Sequence, residues 1–414
     1  MHECSNKHLG LEKTGRLASA LLTTCCALVF FSSAIAQEDT SVEVSGEITA
    51  VAGSVDGEFE ADADARLKVE SSRIFDSGLE LGGVLEARVD GDMPQQYWAG
   101  GRYSGLLSGG SRGVGPLEGD AFLQSAYAYL KGGFGEISIG RDNGIASQLA
   151  VTSPTVFRAI GVNDWKSDLS NLNDIQTVND FSGYSTKLTY MPPANFLGGI
   201  IGGLQVGVSY SPELKECDEE LCAPVTGGAP APAGQALMRN SSWRDVVEAA
   251  LYFERGIGDP ENDIRLGLGA SYITASEDVG NAPAGFDDYQ SYALGLNVAI
   301  KGFTLGGSVK NTNVGLDVRD DDAYLAFDAG ITYETGPWGF MLGYGSSDAS
   351  RDAASPLDPS FFRETELAQA GVSYVFQQGV TLGAAAQFVD SDKPDSLGGQ
   401  EEKTSIIFES SIKF

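Results

Sequence analysis

The chain has 414 residues, 53 of them glycine, and a formal charge of −30 from 27 Lys plus Arg against 57 Asp plus Glu. That acid surplus excludes a nucleic-acid partner, because phosphate binding runs on clustered Lys and Arg. Only two histidines occur, His2 and His8; a chain processed beyond them works without imidazole, which excludes serine-histidine triads and His-ligated zinc.

The first element is a targeting segment. Lys7, Lys13 and Arg16 form a basic leader, Leu17 to Phe31 is an apolar run, and Ala34-Ile35-Ala36 supplies small residues for a signal peptidase. The run is shorter than the roughly 20 apolar residues a spanning helix needs. The expectation is therefore a cleaved signal peptide over 1–36 and a mature domain over 37–414. Cleavage leaves two cysteines, Cys217 and Cys222 in KECDEELC, and in an exported chain so close a pair is expected to form a local disulfide.

From Ser41 onward no long helical period is found, and segments of about 9 to 14 residues alternate apolar with small or polar residues. In TSIIFESSIKF one face carries Ile406, Phe408, Ile412 and Phe414 and the other Ser405, Glu409, Ser411 and Lys413. About sixteen strands are expected, near 41–52, 63–74, 78–90, 121–131, 134–141, 181–192, 203–211, 243–256, 262–275, 288–301, 303–314, 323–335, 338–347, 364–376, 380–390 and 402–414. The connectors alternate: residues 53–62, 91–120, 142–180, 212–242, 276–287, 315–322, 348–363 and 391–401 are long, whereas Phe75-Asp76-Ser77, Gly132-Gly133, Gly302 and Gly336-Pro337 are tight. An even strand count with one elaborate and one trimmed rim predicts an all-β fold, a transmembrane antiparallel β-barrel with long extracellular loops and short periplasmic turns. A spanning sheet must close on itself, since lipid satisfies no backbone group. Aromatics near strand ends, such as Tyr190, Tyr210, Trp338 and Phe376, fit the interfacial girdles of such barrels.

Several motifs carry a resemblance. GGFGEISIGRDNG from Gly132, FSGYSTKLTYMPP from Phe181, GLQVGVSYSPE from Gly203 and the terminal Phe414 together resemble the general porins of Gram-negative bacteria, the alphaproteobacterial type in particular. The resemblance covers essentially the mature chain. It implies a sixteen-stranded homotrimer in the outer membrane, among lipid and lipopolysaccharide, with Phe414 part of the signal read by the outer-membrane assembly machinery. It also implies that the third long loop, 142–180, folds into the barrel and constricts the pore. On that loop Asp164, Asp168 and Asp174 are assigned to the constriction, and Arg66, Lys68, Arg88 and Arg141 to the opposing wall; charges facing across a narrow wet gap select among charged solutes.

The expected function is a water-filled channel for passive diffusion of small hydrophilic solutes and ions, leaning to cations because of the acid surplus. A substrate-selective channel for sugars or anions is the alternative, and a non-transport adhesin or structural barrel a more distant one. No enzyme is expected, since no P-loop occurs and Gly267-Leu268-Gly269 lies in an alternating strand with no following helix. No cofactor is required by this reading. Asp287-Asp288 and Asp320-Asp321-Asp322 are candidates for Ca2+, without a D-x-D-x-D-G frame.

Overall fold

The structure, a computed structural model, describes residues 40–414 apart from 91–120, 164–166, 195–202, 216–241, 259–263, 278–287, 314–323, 352–360, 377–378 and 396–398. Sixteen strands follow in chain order: β1 (Thr40–Val55), β2 (Glu58–Ile74), β3 (Glu80–Asp90), β4 (Ala121–Gly132), β5 (Gly135–Asp142), β6 (Ser185–Met191), β7 (Leu204–Lys215), β8 (Ser242–Ile257), β9 (Ile264–Glu277), β10 (Tyr289–Ile300), β11 (Phe303–Thr312), β12 (Tyr324–Thr335), β13 (Trp338–Arg351), β14 (Phe361–Val375), β15 (Val380–Asp392) and β16 (Glu401–Lys413). A single helical turn, α1 (Ile145–Gln148), lies between β5 and β6. Each strand pairs antiparallel with its chain neighbours, and β1 closes the barrel on β16, with Glu47 opposite Lys413 and Val55 opposite Ser405. Closure removes the free edges a bilayer does not tolerate.

The period of two decides which side chains meet lipid. On β12, Leu325, Phe327 and Ile331 are exposed outward, while Tyr324, Ala326 and Asp328 are buried inward. Outward aromatics gather at the short-turn rim of β11 to β15, where Phe303 stacks on Tyr333 at 4.3 Å and Trp338 meets Tyr374 edge-on at 4.8 Å. Tyr374 in turn meets Phe376 at 4.7 Å. Phe414 completes this belt at the seam. Its N–H donates to the Gly46 carbonyl at 3.0 Å, and its own carbonyl accepts from the Gly46 N–H at 2.8 Å.

Two connector expectations need correction. Residues 53–62 are not a long loop: β1 and β2 join through Asp56-Gly57 alone, both with positive φ (49° and 89°). Asp-Gly favours that tight hairpin turn, and GEFEADAD is an alternating strand whose Phe59, Ala61 and Ala63 are exposed. β6 begins at Ser185 rather than near 181, because Phe181 belongs to the inner cluster with Trp243 and Tyr289. The long connector between β5 and β6 therefore spans residues 143–184.

Candidate functional site

The described residues of connector 143–184 lie inside the barrel and run along its wall. Its outward leg starts at α1, where Ile145 N–H donates to Ser209 Oγ (3.1 Å) and Ala146 N–H to Glu248 Oε2 (3.2 Å). Ser153 N–H then reaches Asp328 Oδ1 at 3.0 Å. At the far end the Glu409 carboxylate accepts three consecutive backbone donors, from Arg158 and Ala159 at 2.8 Å and Ile160 at 3.1 Å. An ionised carboxylate is the natural acceptor for such a run of amides.

Past Ile160 the connector doubles back, with Asn163 at Asp328 on β12, and Ser167 then donates its hydroxyl to Asp62 Oδ2 at 2.7 Å on β2. On the return, Lys403 Nζ donates to the Ser170 carbonyl (2.8 Å) and Lys310 Nζ to the Val178 carbonyl (2.8 Å). The Tyr324 hydroxyl accepts from Gln176 N–H and donates to the Asp174 carbonyl. Asp328 binds this leg too, accepting from the Thr177 hydroxyl at 2.8 Å. Apolar packing adds to these bonds: Phe157, Ile160 and Leu169 pack with Val51, Met341 and Ile407, while Val162, Leu172 and Ile175 pack with Leu367 and Val389. Near its end, Phe181 stacks on Tyr289 at 3.6 Å.

Most of the lumen wall from β7 round to β16 thus carries this loop, and the stretch from β2 to β4 presents charges of its own. Arg66 and Arg88 stand opposite each other in register. Two cations so placed repel, and Asp64 sits between them, 2.6 Å from Arg88 Nη2 and 3.2 Å from Arg66 Nη2. Arg88 is buried and Arg66 is 40% exposed. Next down the wall, Lys68 is opposite Glu86 and 2.9 Å from Glu70, which also accepts from the Tyr129 hydroxyl at 3.0 Å. The loop ends beside this ladder at Tyr184: burial first, then the neighbouring Glu86 charge, pushes its hydroxyl up to about 12 and keeps it neutral.

The sequence-assigned residues therefore divide. Arg66, Lys68 and Arg88 come together on one wall. Arg141 is elsewhere, opposite Thr186 and Ala126 in the row of Ile137 and Ile139, both exposed on the outer face; its Nε donates to the Gln124 carbonyl at 3.3 Å. Asp168 closes its own turn, accepting from Ser170 N–H at 2.9 Å and Asn173 N–H at 3.0 Å. Asp174 forms a buried ion pair with Arg363 on β14. Asp164 lies outside the described residues, as do residues 1–36, Cys217, Cys222, Asp287 and Asp320 to Asp322. Among the described residues no group of three or more His, Cys, Asp or Glu is arranged to hold a metal ion.

Sequence reasoning missed the anchors Glu248, Lys310, Asp328, Arg363 and Glu409. A signal for them does exist: each is a charge at inward parity on a strand whose inward neighbours include small or apolar residues.

A family model described as Gram-negative porin matches residues 22–394. The chain belongs to the Gram-negative porin family. The match and the closed barrel make this porin an outer-membrane channel. Among solved structures the porin's fold is similar to Salmonella typhi OmpF in complex with daunomycin, at a TM-score of 0.54 and 14% identity over 90% of this chain and 97% of that one. It is also similar to an anion-selective porin from Comamonas acidovorans, at 0.53 and 16% over 91% and 100%, and to in-vitro folded OmpT of Vibrio cholerae in its trimer form, at 0.50 and 13% over 91% and 100%. At such identities the likeness is one of fold. No curated protein sequence matches.

Proposed function

We propose that this porin is a passive, water-filled diffusion channel for small hydrophilic solutes and ions, working as a homotrimer without a chemical step. The observation that carries the reading is the course of connector 143–184, which is tied to the wall at Glu248, Asp328, Glu409 and Lys310. A loop held along one side narrows a barrel without sealing it, leaving passage beside the β2–β4 ladder. That ladder places Arg66, Lys68 and Arg88 among Asp62, Asp64, Glu70 and Glu86. Mixed charges across a narrow wet passage screen solutes by size and weakly by charge, and the overall charge of −30 favours cations.

The trimer reading draws on the outer face. Aromatics crowd the lipid side of β11 to β15, but β2 to β4 present Ala61, Ala63, Ala65, Gly83, Ala87, Ala126 and Ala128 there. Small side chains allow close approach of another barrel in a membrane. We assign Phe414 to assembly, since it ends the closing strand in the aromatic belt. Liposome swelling with sugars of increasing size tests the channel reading: uptake that falls smoothly with solute size supports it, and saturable uptake of one solute with exclusion of its size-matched analogues points to a selective channel instead.

A further inference from the structure

We infer that glycines on the lumen wall of β9 to β15 form the seat of the inward loop, and that this seat sets the width of the channel. The inference rests on the diffusion-channel reading above. A side chain on the inner face of a strand stands nearly perpendicular to the sheet, so a second layer of backbone approaches the wall only where that side chain is missing.

The outward leg meets such gaps in sequence. Val151 lies over Gly269 and Gly295, which face each other across β9 and β10; a Cβ on Gly295 would fall 1.9 Å from the Val151 carbonyl oxygen, and one on Gly269 2.9 Å from its Cγ2. Val156 lies over Gly339 on β13, at 3.0 Å from the same construction. The Phe157 ring then drops between Gly371 on β14 and Gly383 on β15, where an added Cβ would come within 2.4 Å of the ring from either side. Beyond Ile160, Val162 covers Gly343 and Gly345, at 2.7 and 2.5 Å.

Not every lumen glycine belongs to this set. Gly267, two residues from Gly269 on the same face of β9, would place its Cβ no closer than 3.9 Å to any neighbour, and that neighbour is Asn297 rather than the loop. Glycine at the seats is thus matched to the loop's path and not to the lumen in general.

The consequence is steric. At Gly295 the obstacle is backbone, which cannot rotate away, so the Val151 carbonyl must retreat by about 1.5 Å to reach ordinary contact distance. The sheet closes off one side, and the lumen is the direction left. At Gly383 the obstacle is an aromatic ring that fills its socket, and removal of the ring relieves the clash.

The test uses the full protein in planar bilayers, with amide hydrogen exchange of residues 149–157 as a second readout independent of conduction. Gly295→Val and Gly383→Val are expected to lower single-channel conductance roughly twofold and to speed exchange of those amides, whereas Gly267→Val leaves exchange unchanged and conductance near the parent value. Adding Phe157→Ala to Gly383→Val restores conductance. Parent-like conductance and exchange in both seat variants, an equal loss in Gly267→Val, or no rescue by Phe157→Ala would overturn the inference. If Gly295→Val fails to assemble, the Gly383 pair decides alone. A parent protein that does not conduct counts against the channel reading, while the exchange pattern still judges the seat.

Discussion

The two sides of the lumen are built on opposite plans. From β2 to β4 the inner wall is charged, with Arg66, Arg88 and Lys68 interleaved with Asp64, Glu70 and Glu86. From β9 to β15 it is largely glycine, alanine and small hydroxyl residues with a few isolated charges, and those charges are occupied in holding the loop. The difference teaches that one strand pattern, apolar outside and polar or small inside, supports two tasks. One half of the ring presents interleaved charges to the lumen, and the other half is scaffold for the inward connector.

Removing the scaffolded piece breaks the comparison most completely. Replacement of residues 145–183 by a short Gly/Ser link is expected to raise single-channel conductance several-fold and admit larger sugars in liposome swelling, since both plans then face open water. A smaller effect follows from cutting the loop's ties while keeping its length. Glu409→Ala leaves the amides of Arg158, Ala159 and Ile160 without their carboxylate, at a cost of about 1.5–3 kcal/mol for charge-assisted bonds. Exchange of those three amides should accelerate by at least tenfold, against little change at Ile175, which Asn173 holds.

Smaller still is the effect of altering the charged side. Arg66→Gln with Arg88→Gln removes two cations and leaves Asp64 and Glu86, so zero-current potentials in a salt gradient should shift toward stronger cation preference and conductance should change little. An unchanged potential would mean that ions pass away from this ladder. The least effect is expected from Cys217→Ser with Cys222→Ser, which lie on a separate long connector: conductance stays at the parent value, and intact-mass measurement of the parent shows a gain of two hydrogens on reduction if the disulfide is present.

Much of the barrel was legible in the sequence because lipid on one side and water on the other force a period of two, and because glycine-rich tight links alternate with long ones. All sixteen strands are found near their expected places. The Asp56-Gly57 hairpin escaped because acidic residues of β2 that face the lumen look like loop residues when their apolar partners are only Phe59 and alanines. The candidate site was legible in part for a related reason. Arg66, Lys68 and Arg88 follow from strand parity. The loop acids do not, since an irregular segment has no period to say which way a carboxylate points; Asp174 turns to Arg363, far along the chain, and Asp168 turns back on its own backbone. Arg141 is assigned to the wall through the resemblance, whereas strand parity puts it in the row of Ile137 and Ile139.

The central claim is a conducting lumen narrowed by a loop along one wall. Single-channel recording of the purified full-length protein in symmetric salt tests it most directly. The account predicts stable open channels that close in three equal steps for each inserted unit, with conductance proportional to bulk salt conductivity over a moderate range. Failure of correctly folded protein to conduct at any salt concentration would contradict it.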